Sequence, residues 1–354
     1  MNKKSRQHKI FFIHPMNSTF VNRDKELLRE KYHLKSHYYI PSKNILKFIW
    51  EIFFLTFKML ANIYSTKTIL CWFADYHSVI PILLGKITGR KTILIIGGYD
   101  AVSLPELGYG IFCSNQLRIA CAKLSYLYAD YICPVDKSLI SSQKSPYAPD
   151  SLIGFEHFIK TDANIRVIST GYDAKFWQKK PQEEKKRRVI AVASISDEIR
   201  IRLKGFDLLV ELAKMMPETD FLLVGFNEQY YNNLQRILSD NVTLKMQVDT
   251  EELRKLYAES KVIAQFSLSE GLPNTLCEAM LCECVPVGSA ISGIPDAIGE
   301  IGFVLESKDV NLAKKLLEKA LSSEKALGEK ARQRIVSNYG IEKRKQALYK
   351  LIGD

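Results

Sequence analysis

Residues 265–280 read QFSLSEGLPNTLCEAM, and this stretch decides how the rest of the chain is read. An apolar run ends in Ser267–Glu270, a Gly-Leu-Pro turn follows, and a helical pattern starts near Asn274. That is a strand, a tight turn and a helix in sixteen residues, the local signature of a parallel α/β unit. The start of such a helix offers N–H groups with no intrahelical partner and a partial positive charge, a natural seat for phosphate. Glu270 lies in the turn, and Glu278 lies eight residues further on. When ionised, each offers two oxygens to the hydroxyls of a bound ligand. Taken alone, the pair reads equally well as a solvated loop acid and a solvated helix acid.

Outward from this stretch the same alternation continues. Strand patterns fall at 189–193, 220–224, 242–246, 262–266, 285–288 and 302–305, and helical patterns at 205–215, 230–238, 250–260, 274–281, 294–298, 310–322 and 324–339. Upstream, GYDAKFWQKKPQEEKKRR (171–188) is charged and has no hydrophobic period, which marks a domain boundary. Before it, strands are expected at 9–14, 36–40, 68–73, 92–96, 131–134 and 166–169, and helices at 23–31, 45–64, 77–88 and 116–129. The polar stretch 138–150 reads as a mobile connector. The expected division is an N-terminal Rossmann-like domain over 1–172, a linker over 173–188, a second such domain over 189–340, and a C-terminal helix over 341–354 packing back on the first. Ligands in such sheets bind beyond the carboxyl ends of the strands.

The whole chain fits this picture. Its 354 residues, 47 % hydrophobic and 25 % charged, suit two folded domains and exclude disordered and collagen-like classes. Seven cysteines without a CxxC pair argue against a disulfide framework or a structural zinc site, and Cys277, Cys282 and Cys284 read as buried packing residues. No GxGxxG follows a strand, and GxxxxGK[ST], GxSxG and HExxH are all missing. No two aspartates stand two apart, so no DxD pair is available to hold a metal–nucleotide. A diphosphate would then be neutralised by the protein's own cations and helix ends, and no metal or cofactor is expected.

Such cations stand in IRLKGFDLLV (201–210), where Lys204 and Gly205 precede an amphipathic helix with Arg200 and Arg202 beside them. A lysine there offsets charge on a leaving diphosphate. The plain alternative is a solvated basic loop.

Charge is uneven. Residues 1–60 hold 12 Lys and Arg against 4 acids, a net +8 out of +11 for the chain. At the end of this basic region, ILKFIWEIFFLTFKMLANIY (45–64) is amphipathic and aromatic. It reads either as a helix lying on an anionic membrane surface or as one covering a sheet, with nucleic acid less favoured. The stripe Phe48, Trp50, Phe53, Phe54 and Phe57 is expected in a core.

Lys204-Gly205 with FDLLVELA, then FLLVG (221–225), then EELRKLYAESKVIAQFSLSEGLPNTLCEAMLCECVPVGSAISGIPDAI resembles glycosyltransferase family 4. The likeness is strong over 189–305 and lies only in pattern before that. It implies a GT-B fold, two Rossmann-like domains facing across a cleft, and a retaining transferase using a nucleotide-diphosphate sugar. Carried over by position, Lys204 meets the donor diphosphate and Glu270 the hydroxyls of the transferred sugar. Gly271, Leu272, Pro273, Asn274 and Thr275 line sugar and phosphate, Glu278 takes the ribose hydroxyls, and Gly225, Met246, Gln247 and Val248 border the base. Where the family usually has an arginine this chain has Ser194, so Arg200 or Arg202 is expected to substitute. In ILIIGGYD (93–100), Gly97 and Gly98 leave room for a ligand near the backbone, and Asp100 stands as a candidate catalytic residue that orients an acceptor or sugar hydroxyl. A turn-capping role fits Asp100 equally well. His77 lies on the same, acceptor side.

The acceptor is expected to be a lipid-linked or polysaccharide glycan. The place is the cytoplasm, or the inner face of the cell membrane. A nucleotide-sugar epimerase, or a non-catalytic sugar-nucleotide-binding subunit, is the alternative.

Overall fold

The computed structural model describes residues 8–234 and 238–353, so the basic residues 1–7 and part of the helix expected at 230–238 lie outside the described residues. The chain divides into two compact units. The first comprises Met1–Ser142, Leu152–Ser169 and Arg344–Asp354, and the second Gln143–Ser151 and Thr170–Lys343.

The first unit runs β1 (Lys9–His14), α1 (Thr19–Arg29), β2 (His33–Tyr38), α2 (Ile45–Leu60), β3 (Thr68–Trp72), α3 (Tyr76–Ile87), β4 (Lys91–Ile96), β5 (Val102–Ser103), α4 (Gln116–Tyr128), β6 (Tyr131–Pro134), β7 (Leu152–Ile153) and β8 (Asn164–Ile165). Its main sheet has the order β2-β1-β3-β4-β6-β8 and is parallel throughout. β3 is buried along its whole length, as a strand covered on both faces must be. β5 and β7 form a small antiparallel pair. Expected boundaries shift at the edges: β2 starts at His33 because Lys9 pairs with His33, and the last strand is the short β8 rather than 166–169. Buried Arg344 grips Asp24 through Nε and Nη2 at 2.5 and 2.6 Å and donates Nη1 to the carbonyls of Ile168 and Ser169.

The aromatic stripe Phe48, Trp50, Phe53, Phe54 and Phe57 of α2 departs from the expected core placement. Leu55 and Met59 are buried, while Trp50, Phe53 and Phe57 are about 60 % exposed.

Histidines make this unit acid-sensitive. Burial holds His14 and His37 down to about 4, helped by the nearby charge of Lys25 for His14 and of Lys58 for His37. A histidine held below its unfolded value of about 6.5 contributes stability that is full above that pH and is lost as pH falls towards 4. Burial acts oppositely on Asp100, raising it to about 6 against the backbone N–H groups that bond it, so its contribution is lost as pH rises from about 4 to 6. Burial lowers His8 and His77 as well, so four histidines stand against one aspartate and the unfolding temperature of this unit is expected to drop between pH 7 and pH 5. His14→Gln is expected to flatten that slope in calorimetry, and an unchanged slope would refute this account.

The second unit runs β9 (Lys186–Ile195), α5 (Glu198–Leu203), α6 (Phe206–Met215), β10 (Asp220–Phe226), α7 (Glu228–Leu234), β11 (Val242–Met246), α8 (Thr250–Glu259), β12 (Ser260–Gln265), α9 (Asn274–Leu281), β13 (Val285–Ser289), α10 (Ile294–Ile298), β14 (Phe303–Leu305), α11 (Val310–Leu321), α12 (Lys325–Tyr339) and the start of α13 (Ile341–Gly353). The sheet order β11-β10-β9-β12-β13-β14 is the doubly wound one. The chain starts in the middle at β9, winds outward to one edge, then returns to β12 and winds to the other. Loops after β9 and β12 therefore diverge, leaving a crevice at their carboxyl ends.

Three local expectations are corrected here. The charged stretch ends as strand, because β9 already starts at Lys186. The segment between β9 and Lys204 is a short helix, α5, capped by Asp197, whose side chain accepts from the Arg200 N–H. The stretch 138–150, expected to be a mobile connector, is anchored: Ser145 Oγ donates to Ala290 O at 2.7 Å and buried Tyr147 donates its hydroxyl to Phe266 O at 2.9 Å. Residues 143–151 accordingly belong to the second unit.

Candidate functional site

At the crevice between β9 and β12 the structure brings together Lys204 and Glu270. Lys204 ends α5, and its Nζ donates to Glu270 Oε1 at 2.5 Å. The following residue explains why they meet. Gly205 has φ +71, and a Cβ there would fall 2.2 Å from the Phe266 carbonyl oxygen. With only hydrogen at that point the two loops close up, and Leu268 N–H bonds Leu203 O at 2.8 Å.

Glu270 is held from several directions. Ser267 Oγ and Gln265 Nε2 donate to the same Oε1 at 2.8 and 3.1 Å, and Thr275 Oγ1 donates to Gln265 Oε1 at 2.9 Å. Its N–H donates to Ser292 Oγ at 3.3 Å, and Gly293 N–H bonds Gly271 O at 3.0 Å, so the loop after β13 braces the turn. Side chains of Lys204 and Glu270 are 17 % and 14 % exposed, enough to meet a ligand while mostly withdrawn from water. Gln265, Ser267, Ser292 and Tyr147 were not singled out from the sequence. The spacing of Gln265 and Ser267 on the strand end was the available signal for two of them. Ser292 and Tyr147 come from remote segments and carried none.

The turn 271–273 is buried and leads directly into α9. Pro273 occupies the N-cap position and provides no side-chain cap, so the first N–H groups of α9 have no side-chain acceptor there. The buried Oδ1 of Asn274 also has no partner. Glu278 is 5 % exposed, inside the helix rather than on a solvated face. Cys277, Cys282 and Cys284 form no disulfide and have no exposure, packing around α9 as expected.

Gly225, Met246, Gln247 and Val248 stand at the far side of the same sheet face. Gly225 has φ +107 at an irregularity in β10, and a Cβ there would fall 2.0 Å from Ala193 O. Met246 and Gln247 are exposed at the carboxyl end of β11. β11 lies three strands from β12, a span of roughly 14 Å at normal strand spacing. Arg200 is half-buried and Arg202 exposed on α5.

The first unit's candidates fare differently. Asp100 is fully buried, and its carboxylate accepts the N–H groups of Ala74 at 3.1 Å, Gly97 at 3.0 Å and Gly98 at 2.9 Å. Its oxygens hold the β3 and β4 loops rather than face a hydroxyl. Room over Gly97 is taken by the Phe73 ring, which a Cβ would meet at 2.2 Å. His77 is buried with Nε2 on the Trp72 carbonyl at 2.8 Å and its ring stacked on Tyr39, a structural placement. What this unit does offer is a cavity of about 610 Å³ lined by Tyr39, Ile45, Phe48, Asp75, Tyr76 and Arg118, among others. There Arg118 donates to both oxygens of Asp75, at 2.8 and 2.5 Å.

Among the described residues no group of three His, Cys, Asp or Glu side chains is placed to hold a metal ion.

The second unit is similar to known proteins. Residues 173–339 match the family model described as glycosyl transferases group 1. Among individual relatives, N-acetyl-alpha-D-glucosaminyl L-malate synthase of Bacillus anthracis is 23 % identical over 289 residues, covering 77 % of this chain and 70 % of that protein. Trehalose synthase of Thermococcus litoralis is 31 % identical over 157 residues, 39 % of this chain and 37 % of its own length. The fold is that of GT-B glycosyltransferases. Sucrose-phosphate synthase of Thermosynechococcus elongatus superposes with a TM-score of 0.73 at 17 % identity, covering 98 % of both chains. HepE of Anabaena, solved with UDP and glucose, superposes at 0.69 and 14 % identity over 98 % of this chain and 99 % of that one.

Proposed function

We propose that this protein is a retaining, metal-independent glycosyltransferase that moves a sugar from a nucleotide-diphosphate donor to an acceptor hydroxyl. One observation carries the reading: the Lys204–Glu270 pair sits at the switch point of the sheet, beside the uncapped start of α9. The chemistry needs a cation and N–H groups aimed where charge grows on the departing diphosphate. Lys204 and the first turn of α9 supply both, with Arg200 or Arg202 adding charge from α5. Glu270, held by Ser267 and Gln265, accepts hydroxyls of the sugar. Glu278 takes the ribose, and Gly225 with 246–248 borders the base; the span from β12 to β11 fits a nucleoside diphosphate. A retained configuration means that the acceptor oxygen joins the anomeric carbon from the side on which the bond to diphosphate breaks.

A lipid-linked acceptor is supported by the cavity of the first unit, whose rim is partly the apolar helix α2 through Ile45 and Phe48. The acceptor side is then this cavity rather than Asp100 and His77, both occupied within the protein.

The test is a thermal-shift screen with UDP, GDP, ADP and CDP, each with and without magnesium. HepE was solved with UDP, so UDP is the first nucleotide to try. A ligand at 100 times its dissociation constant adds about 2.7 kcal/mol of stability. One nucleoside diphosphate is expected to raise the unfolding temperature by several degrees without metal. No shift with any of the four would overturn the reading.

A further inference from the structure

The outer face of α2 is where the observations reach beyond catalysis. The helix is apolar on two sides. Phe48, Ile52, Leu55 and Met59 form the inner stripe, of which Leu55 and Met59 are fully buried. Leu46, Ile49, Trp50, Phe53, Phe57 and Leu60 recur at three- and four-residue spacing on another side, and all are more than half exposed. Tyr64, one turn further along the chain, is 89 % exposed. A soluble surface rarely shows so continuous an apolar patch unless something covers it.

Charge says what covers it. Lys43 and Lys47 are exposed at the helix start, and Lys58 lies at the margin with Nζ 4.1 Å from the Phe54 ring centre. Glu51 is the one acid on α2. The segment 1–60 carries 12 basic residues against 4 acidic ones. An apolar stripe flanked by lysines fits the headgroup layer of an anionic bilayer, which takes aromatic side chains at its boundary and attracts the ammonium groups. A second copy of the chain would bring the same positive segment against itself, which charge opposes. At sixteen residues α2 is too short to span, and among the described residues no helix is long and apolar enough to cross a membrane.

We infer that the outer face of α2 lies in the plane of an anionic lipid surface, with Trp50, Phe53 and Phe57 inserted at the headgroup boundary. This does not depend on the transferase reading, because the patch is a property of the first unit alone. Trp50 makes it measurable. The other two tryptophans, Trp72 and Trp177, are buried, so any lipid-induced change in emission reports on Trp50.

The full chain is mixed with vesicles of phosphatidylcholine alone or with 30 % phosphatidylglycerol, at low and high salt. Flotation with the anionic vesicles at low salt, and a blue shift of tryptophan emission, are the expected results. Trp50→Ser/Phe53→Ser/Phe57→Ser is expected to reduce the bound fraction at least tenfold while its unfolding temperature stays the same, since these side chains are exposed. Lys43→Glu/Lys47→Glu is expected to remove the preference for anionic vesicles. Absence of flotation by the folded wild type, or equal flotation by the triple variant, would overturn the inference. So would a wild-type dimer, bound to no vesicle, that the triple variant converts to monomer: the face would then belong to a second copy.

Discussion

Lys204→Ala is expected to lower kcat/KM for the sugar donor by about 10²–10³-fold, the usual cost of removing one preorganised group that stabilises charge in the transition state. The ammonium group lies 2.5 Å from Glu270 Oε1 and remains 17 % exposed, so it is both fixed and reachable. The cost to folding should be modest. Glu270 keeps Ser267 and Gln265 as donors, so removing the lysine does not leave its carboxylate without hydrogen-bond partners. The decisive comparison is therefore between rate and stability. Initial rates should collapse, calorimetric nucleoside-diphosphate affinity should weaken, and the unfolding temperature should hold. A variant with near-normal kcat/KM would remove Lys204 from the chemistry, and with it the main support for the site. Glu270→Gln, which leaves an oxygen for hydrogen bonding but removes the charge, separates loss of the ion pair from loss of the lysine itself.

The largest effect on stability is expected at Arg344. This side chain is 3 % exposed, pairs with both oxygens of Asp24, bonds two backbone carbonyls and lies 5.4 Å from the ring centre of Trp72. Trp72 Nε1 also donates to Asp24 Oδ2 at 2.9 Å. Arg344→Ala would leave a buried carboxylate with one indole donor and two carbonyls without theirs, a loss of about 3–5 kcal/mol. In calorimetry the transition of the first unit should fall by about 10 °C, at 2–4 °C per kcal/mol for a unit of this size. Lys345→Ala is the contrast. Its partner Glu30 is 52 % exposed, and the change should cost about 1 kcal/mol or less. Equal losses for the two variants would mean that burial is not what gives the Arg344 network its weight. Asp24→Leu with Arg344→Met is expected to recover part of the loss, because the penalty lies in stranding one partner rather than in lacking the pair.

Much of the second unit was readable along the chain. The strand–turn–helix around Glu270 is local, and so are the lysine before α6 and the alternation that gives a parallel sheet. Strand and helix periods come from the backbone's own geometry, which a short window of side chains reveals. Edges were read less well, since β2 and β8 owe their limits to the strands they pair with. Asp100 shows the same limit in a functional candidate. Its position after a strand pointed equally to a ligand or a turn, and only the three N–H groups converging on it decide for the turn.

What the sequence determined by itself is thus the kind of elements, their order, and the residue types gathered at the candidate site. Tertiary structure decided which of them meet. Lys204 and Glu270 are 66 residues apart and come together because the winding of the sheet puts β9 beside β12 and Gly205 lets their loops touch. Tyr147 meets Phe266 across 119 residues. For α2, periodicity showed an amphipathic, aromatic helix but not whether its apolar side chains met the core or the outside. Spacing along a helix records direction around its axis, whereas burial depends on what distant parts of the chain bring against each side.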